Sequence, residues 1–244
     1  MITNVMTTKK IRSVFNVKSK TFFTPHLIRV VFNIDDAQAE LLAHVQSGSN
    51  NKIFIPSAEN GEPLIRTYTN RKIDLIKREL TIDFVSHGDN GPASAWASKA
   101  KIGDSLEIGM KESSKPLVPE VDFYLFVGDA TALPVICAIV EQLPSYVTAK
   151  VLLEVHGKED ELILCSAADL TVKWLYNSSP ENGSMLADIT RQIEFPSGIS
   201  KKYVFIAAEY HTVHDLRDYF KKILEWDSHG LYACSYWRSG QAES

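Results

Sequence analysis

The chain is expected to form two domains of different class: an N-terminal antiparallel Greek-key β-barrel over residues 1–115 and a C-terminal α/β domain with a mainly parallel sheet over residues 116–244. Three observations point there. Up to about Met110 the sequence runs in short alternating apolar and polar stretches broken by turns, the pattern of an antiparallel barrel. Beyond Glu120 the rhythm becomes strand, helix, strand, which implies right-handed crossovers and parallel pairing. Between the two, Lys111–Glu120 is polar and punctuated by Pro116 and Pro119, as interdomain linkers are.

The elements follow in order. Ile11–Val17, Leu27–Ile34, Lys52–Ile55, Leu64–Thr69, Leu80–Ser86 and Ser105–Met110 keep the two-residue period of strands. Asp36–His44 reads as a short helical insertion, and Gly91-Pro92-Ala93-Ser94 opens a second helix that ends before Gly103. Gly91 is expected to permit the turn and Pro92 to sit in the first helical turn, where its missing N–H costs nothing. In the second half, Asp122–Val127, Ala149–Val155, Leu162–Cys165, Thr171–Tyr176, Tyr203–Ala208 and Leu231–Ser235 read as strands, with Thr131–Gln142, Met185–Gln192 and Thr212–Leu224 between them as helices. Thr131 is expected to cap the first of these helices, with Pro134 in its first turn.

Composition narrows the function classes. The 244 residues are 45% hydrophobic and 23% charged, enough to bury a substantial core, and the net charge of -4 carries no electrostatic footprint for nucleic acid or an anionic membrane. Any anion site must be local. No apolar run reaches the length of a membrane span and the first residues lack the apolar core of a secretory signal, so a cytoplasmic location is expected. Cys137, Cys165 and Cys234 are widely spaced in apolar or small-residue surroundings, which suits buried free thiols rather than disulfides or iron–sulfur ligands.

Two segments carry chemistry. In Arg66-Thr67-Tyr68-Thr69 the strand period puts Arg66 and Tyr68 on one side, a cation beside a flat ring, and Thr69 adds a hydroxyl able to meet a ring nitrogen. In His87-Gly88-Asp89-Asn90-Gly91-Pro92-Ala93-Ser94-Ala95-Trp96 the amides of Ala93 and Ser94 would face an anion at a helix start. A pyrophosphate joined to an isoalloxazine needs both, so the pair predicts bound FAD. Alternatively, Arg66 pairs with a surface carboxylate, Tyr68 is a half-buried strand residue and the second segment merely starts a helix. Each motif alone leaves the choice open.

In the second half, the strand ends at Gly128-Asp129-Ala130-Thr131, Ala207-Ala208-Glu209 and Ser235-Tyr236-Trp237-Arg238 are where ligands of parallel sheets bind. There is no Gly-x-Gly-x-x-Gly fingerprint, so binding of a dinucleotide in the usual Rossmann way is not expected. His211 and His214 share a helical face but lack a completing ligand set, and are read as solvated helix residues; no metal site is expected.

With those residues in hand, the chain resembles the siderophore-interacting proteins, FAD-dependent ferric-siderophore reductases related to the ferredoxin-NADP reductase superfamily. The resemblance spans nearly the whole length and rests on Arg66–Thr69, Asp83-Phe84-Val85, His87-Gly88 with Gly91–Ala97, Gly128–Pro134, Glu209 and Tyr236-Trp237-Arg238. It implies a flavin-binding barrel followed by a nicotinamide-binding domain. In it, Arg66 and the Gly91–Ser94 amides would hold pyrophosphate, Thr67, Tyr68 and Thr69 would line the flavin, and Asp83, Phe84 and Val85 would meet the isoalloxazine edge through backbone groups. His87, Pro92 and Trp96 complete the implied FAD site, with Asp129, Thr131, Tyr236 and Trp237 from the second half.

The resemblance also implies outer-sphere reduction of chelated Fe(III) to Fe(II) by electrons from NADH, NADPH or a ferredoxin-type donor, with no iron ligands on the protein and no acid/base residue. Lys52, Lys115 and Arg238 are the candidate cations for an anionic ferric siderophore. Ala208 and Ser235 stand where the family commonly has Gly, and Trp174-Leu175-Tyr176-Asn177 lacks the Arg that often follows the family's Trp-Leu pair, so NADPH preference is not expected. The chain is expected to work as a monomer. Two other readings stay open: a flavin reductase or electron-transfer module for a protein partner, and a siderophore-binding protein without turnover.

Overall fold

The computed structural model describes residues 9–56, 61–86, 91–113 and 115–241. It divides into two compact units, Met1–Phe23 with Leu27–Leu117, and Thr24–His26 with Val118–Ser244.

The first unit is a curled antiparallel sheet. Among the described residues it has seven strands, β1 (Lys10–Thr24), β2 (Leu27–Asn33), β3 (Asn50–Ile55), β4 (Leu64–Thr69), β5 (Lys72–Asp74), β6 (Glu79–Val85) and β7 (Ser105–Lys111), in the order β4-β3-β7-β1-β2-β6-β5. Alternation sets the faces: in β2, Ile28, Val30 and Phe32 are buried while Arg29 and Val31 are only half-buried. The curl brings Tyr68 of β4 against Phe84 of β6, ring centroids 4.7 Å apart, so one edge of the sheet meets the far side over the shared core. α1 (Asp36–Leu42) is held by a capping box between Asp35 and Gln38, and α2 (Pro92–Lys99) covers the core with Ala93 and Ala97.

The second unit is wholly parallel. β8 (Phe123–Asp129), β9 (Thr148–Val155), β10 (Asp169–Tyr176), β11 (Lys202–Glu209) and β12 (Leu231–Trp237) lie in the order β10-β9-β8-β11-β12. β8 is buried at every residue, as a central strand covered on both faces must be. α3 (Leu133–Val140), α4 (Leu186–Arg191) and α5 (Tyr210–Asp218) supply crossovers. Leu162–Cys165, expected as a strand, is irregular: Ile163 is 94% exposed and Cys165 is exposed rather than buried, so the β9 to β10 crossover is a loop without an α-helix.

In the first unit a buried carboxylate fixes the strand that carries Phe84 and Val85. Asp83 accepts two 2.7 Å hydrogen bonds from Arg29 on the paired strand, and Arg71 Nε stands 3.8 Å from its second oxygen. Asp83→Ala should cost about 3–5 kcal/mol by leaving largely buried guanidinium charge behind. Denaturant unfolding will measure it, and a loss below about 1 kcal/mol would show that the pair is not holding β6.

Candidate functional site

In the first unit the chain places a cation, a ring and a helix start on the core-facing side of the sheet. Arg66 and Tyr68 are both half-buried on the inward face of β4, Arg66 opposite the buried Ile53 and Tyr68 opposite the buried Asn51. Tyr68 packs on Phe84, and Phe84 lies 5.8 Å from Trp96 on α2, so one aromatic row links β4, β6 and the helix. Phe84 is fully buried in the core, and the half-buried Trp96 packs against that core and also stacks on Phe32. Thr67 points the other way, is exposed, and accepts a 2.7 Å hydrogen bond from Lys52 Nζ. Thr69 is buried.

The helix start differs from expectation in one respect. Gly91 has φ -102° and ψ 127°, ordinary extended backbone, and a Cβ there would meet Ser94 Cβ at 3.6 Å, an ordinary contact. The turn does not need a glycine; what Gly91 contributes is a cap position with no side chain, leaving the first amides of α2 without the usual Ser, Thr or Asp cap. His87 lies outside the described residues. Along β6, β5 pairs only with Glu79–Thr81, so among the described residues Asp83–Val85 have no strand on that side and their backbone groups form an open edge. The Asp83 side chain is committed to Arg29.

In the second unit the carboxyl ends of β8, β11 and β12 meet around Asp129. Its Oδ1 accepts from Thr131 N at 2.9 Å and Thr131 Oγ1 at 2.5 Å, and its Oδ2 from Glu209 N at 2.9 Å and Trp237 Nε1 at 2.7 Å. Asp129 is therefore the capping residue of this turn, in place of Thr131. Burial pushes its carboxyl above the usual carboxylate range, against the pull of those four hydrogen bonds. Gly128 is required by space: a Cβ would sit 2.7 Å from Ala132 Cβ, 2.8 Å from Ile136 Cδ1 and 3.1 Å from the Ala207 carbonyl oxygen. Glu209 caps α5, its Oε2 accepting from His211 N at 2.5 Å, while Oε1 accepts from Ser239 N at 3.3 Å. Tyr236 is half-buried beside Tyr232, and burial raises its hydroxyl well above the ordinary tyrosine value.

The candidate cations are exposed. Arg238 lies 4.4 Å over the Tyr210 ring, and Lys115 sits at the surface of the first unit. His211 and His214 flank Tyr210 at the start of α5, with His214 Nδ1 3.0 Å from Arg217. The order of the sheet reverses between β8 and β11, the place where open parallel sheets bind ligands, and Asp129, Glu209 and Trp237 close that end.

Comparison with known proteins accounts for both units. Residues 121–240 match the family described as siderophore-interacting protein, and residues 37–113 match the siderophore-interacting FAD-binding domain. The chain belongs to the siderophore-interacting protein family. The ferric vibriobactin reductase ViuB of Vibrio cholerae is 29% identical over 241 residues, covering 92% of this chain and 88% of that protein. The siderophore-interacting protein SipS of Aeromonas hydrophila superposes with a TM-score of 0.82 at 30% identity, covering 95% of this chain and 93% of SipS. A ferredoxin NADP+ reductase from Neisseria gonorrhoeae, at 12% identity and TM-score 0.65 over 92% of this chain and 98% of that one, shares the fold. The curled antiparallel sheet followed by a parallel sheet is thus the ferredoxin-NADP reductase-like arrangement that the family resemblance implied.

Asp129→Asn tests the strand-end network. Glu209 N–H and Trp237 Nε1–H can only donate, so an amide must turn its oxygen to them and face its NH2 to Thr131, leaving at least one donor unmatched at about 1–3 kcal/mol. A carboxyl raised on folding contributes stability that is complete below its unfolded range near pH ~4 and is lost as pH rises through the folded value. The variant's deficit in unfolding free energy should therefore be largest in acid and shrink toward neutral pH; a deficit that grows with pH would reverse the assigned shift.

Proposed function

We propose that the chain is an FAD-dependent ferric-siderophore reductase that takes electrons from NADH, NADPH or a reduced ferredoxin-type donor and releases Fe(II) in the cytoplasm. The observation that carries this reading is the half-buried Arg66 and Tyr68 pair on the inward face of β4, inside a domain of the siderophore-interacting FAD-binding type. The donor set fits FAD: a guanidinium, a helix start whose cap position has no side chain, a ring on the aromatic row and an open backbone edge at Asp83–Val85. The naming of ViuB as a ferric vibriobactin reductase supports the substrate class.

When bound, FAD supplies two-electron oxidation of a nicotinamide and one-electron delivery to iron. The residues bind and orient. Arg66 and the Ala93 and Ser94 amides oppose the pyrophosphate charge, Tyr68 covers a ring face, and the Asp83–Val85 backbone meets a ring edge. Thr69, Pro92 and Trp96 set the shape around them, Thr67 on the opposite face of β4 only positions Lys52, and Asp129, Thr131, Tyr236 and Trp237 form the strand ends that the donor approaches. The end of β9 and β10 carries carboxylates: Glu154 is buried, accepting from Asn177, Ser184 and Met185, and Glu161 accepts from the Tyr176 hydroxyl. Negative charge there opposes a 2′-phosphate and favours NADH.

The protein should purify yellow with non-covalent FAD, and Arg66→Ala should lower occupancy, since a charged hydrogen-bond partner is worth roughly 1.5–3 kcal/mol. In anaerobic stopped-flow, NADH should reduce the flavin at least as well as NADPH. Colourless protein that cannot be reconstituted would overturn the reading, and a tenfold preference for NADPH, about 1.4 kcal/mol, would overturn the donor assignment.

Lys52, Lys115 and Arg238 are proposed to hold the anionic chelate by charge, the chelator having already filled iron's ligand positions. Neutralising Lys52 or Arg238 should raise KM for an anionic ferric chelate while leaving flavin content and its reduction intact, and the effect should fade with salt because exposed charges are screened over about 10 Å at 0.1 M. Replacing His211 and His214 together should change little. Loss of iron reduction in the double histidine variant alone would show that the protein coordinates iron itself.

A further inference from the structure

Outside the sites described above, the second unit gathers two imidazoles and two carboxylates that no feature of flavin or nicotinamide binding uses. His26, from the Thr24–His26 segment, and His156, immediately after β9, stack with ring centroids 3.9 Å apart and 25° between planes. With Glu159 and Asp160 they offer four ligand atoms that all lie within 4.8 Å of one another. We propose that His26, His156 and Glu159, anchored by Asp160, form a binding site for one divalent transition-metal ion of the Zn(II) class.

The four residues have distinct parts. Asp160 is buried and holds its neighbours: Oδ1 accepts from Thr24 Oγ1 at 2.6 Å and from His26 N at 3.1 Å, and Oδ2 lies 2.8 Å from His26 Nδ1. A carboxylate against Nδ1 makes that nitrogen the protonated one and leaves Nε2 as the lone-pair donor, the tautomer and orientation that carboxylate partners impose on metal-binding histidines. His156 and Glu159 are exposed, which keeps an entry path open.

Glycine 157 shows that the carboxylate of Glu159 has been given room. Its backbone is extended, φ -156° and ψ 178°, a conformation any residue adopts. A Cβ at Gly157 would nevertheless stand 2.5 Å from Glu159 Oε1 and 2.6 Å from Oε2, because the Glu159 side chain folds back over it toward the imidazoles. Donors at about 2.0–2.2 Å from a tetrahedral ion stand roughly 3.3 Å apart; the stacked rings aim their in-plane lone pairs side by side, so the exposed His156 must swing out of the stack, with Glu159 turning beside it, to close the set. Two imidazoles with carboxylate oxygens match the borderline cations Zn(II), Cu(II), Ni(II) and Fe(II) rather than Mg(II) or Ca(II). His156, Glu159 and Asp160 are close in sequence, but His26 lies 130 positions from His156, so no local pattern brings the second imidazole to them.

The test uses the full chain, stripped of metal with a chelator and titrated with Zn(II) against a chromophoric competitor. One equivalent per chain should bind, and it should raise the unfolding midpoint. His156→Ala and Gly157→Ala should each weaken binding tenfold or more while leaving the metal-free unfolding midpoint near that of the parent, since one side chain is exposed and the other change displaces only the end of a flexible one. Less than one equivalent in the parent, or parental affinity in both variants, overturns the proposal. The readout is independent of flavin content.

Discussion

The second unit depends on one buried carboxylate. Asp129 takes four donors from three segments, the turn after β8, the last residue of β11 and the indole of β12, and so ties together the strand ends at which the sheet order reverses. Backbone sterics bring the segments close enough for that: Gly128 lets the 130–136 turn and β11 pack where a Cβ would intrude to within 2.7 Å of Ala132. An apolar residue at 129 would leave a backbone amide and an indole N–H without acceptors inside the protein, which is why the network holds only as a whole.

The first unit solves a related problem with the opposite partner. Asp83 commits its side chain to Arg29 across the β2 and β6 pair, so under the proposed function any contribution to a ligand would pass to its backbone. β5 ends its pairing at Thr81, and among the described residues those beyond keep an open edge beside the Tyr68, Phe84 and Trp96 row. Under the proposed function, a ligand that is anionic at one end and flat at the other would be matched by half-buried Arg66 and Tyr68 on one strand face, because strand alternation places residues two apart on the same side.

What the sequence disclosed follows the range over which its signals act. Alternation in Leu27–Asn33 and Glu79–Val85 and the shift to buried apolar runs at Phe123–Asp129 are local, and they carried the division into an antiparallel and a parallel half. β5 carries no local turn signal, because its hairpin turns through Asp74-Leu75-Ile76-Lys77-Arg78 with Arg78, not Gly or Asn, in the left-handed conformation at φ 57°. Leu162–Cys165 looked like a strand because periodicity alone cannot distinguish a buried apolar run from an exposed crossover loop, and Ile163 is exposed. Arg29 with Asp83, and Trp237 with Asp129, are contacts across 54 and 108 positions; no local pattern announces them, although each lone charged or polar residue in an apolar strand could have prompted a search for its partner.

Charge placement separates two grades of cation in this chain. With a net charge of -4 the molecule as a whole repels anions, so each anion must be met by particular cations at short range. Arg66 is half-buried on a core-facing strand surface, where water is partly excluded and a charged hydrogen bond keeps more of its strength. Lys52 and Arg238 are exposed, and among the described residues Lys52 meets a neutral hydroxyl and Arg238 an aromatic ring. Under the proposed function the half-buried cation would retain a cofactor through many turnovers. The exposed cations would capture and release chelates weakly and by charge more than by shape, as a reductase must when its product has to leave.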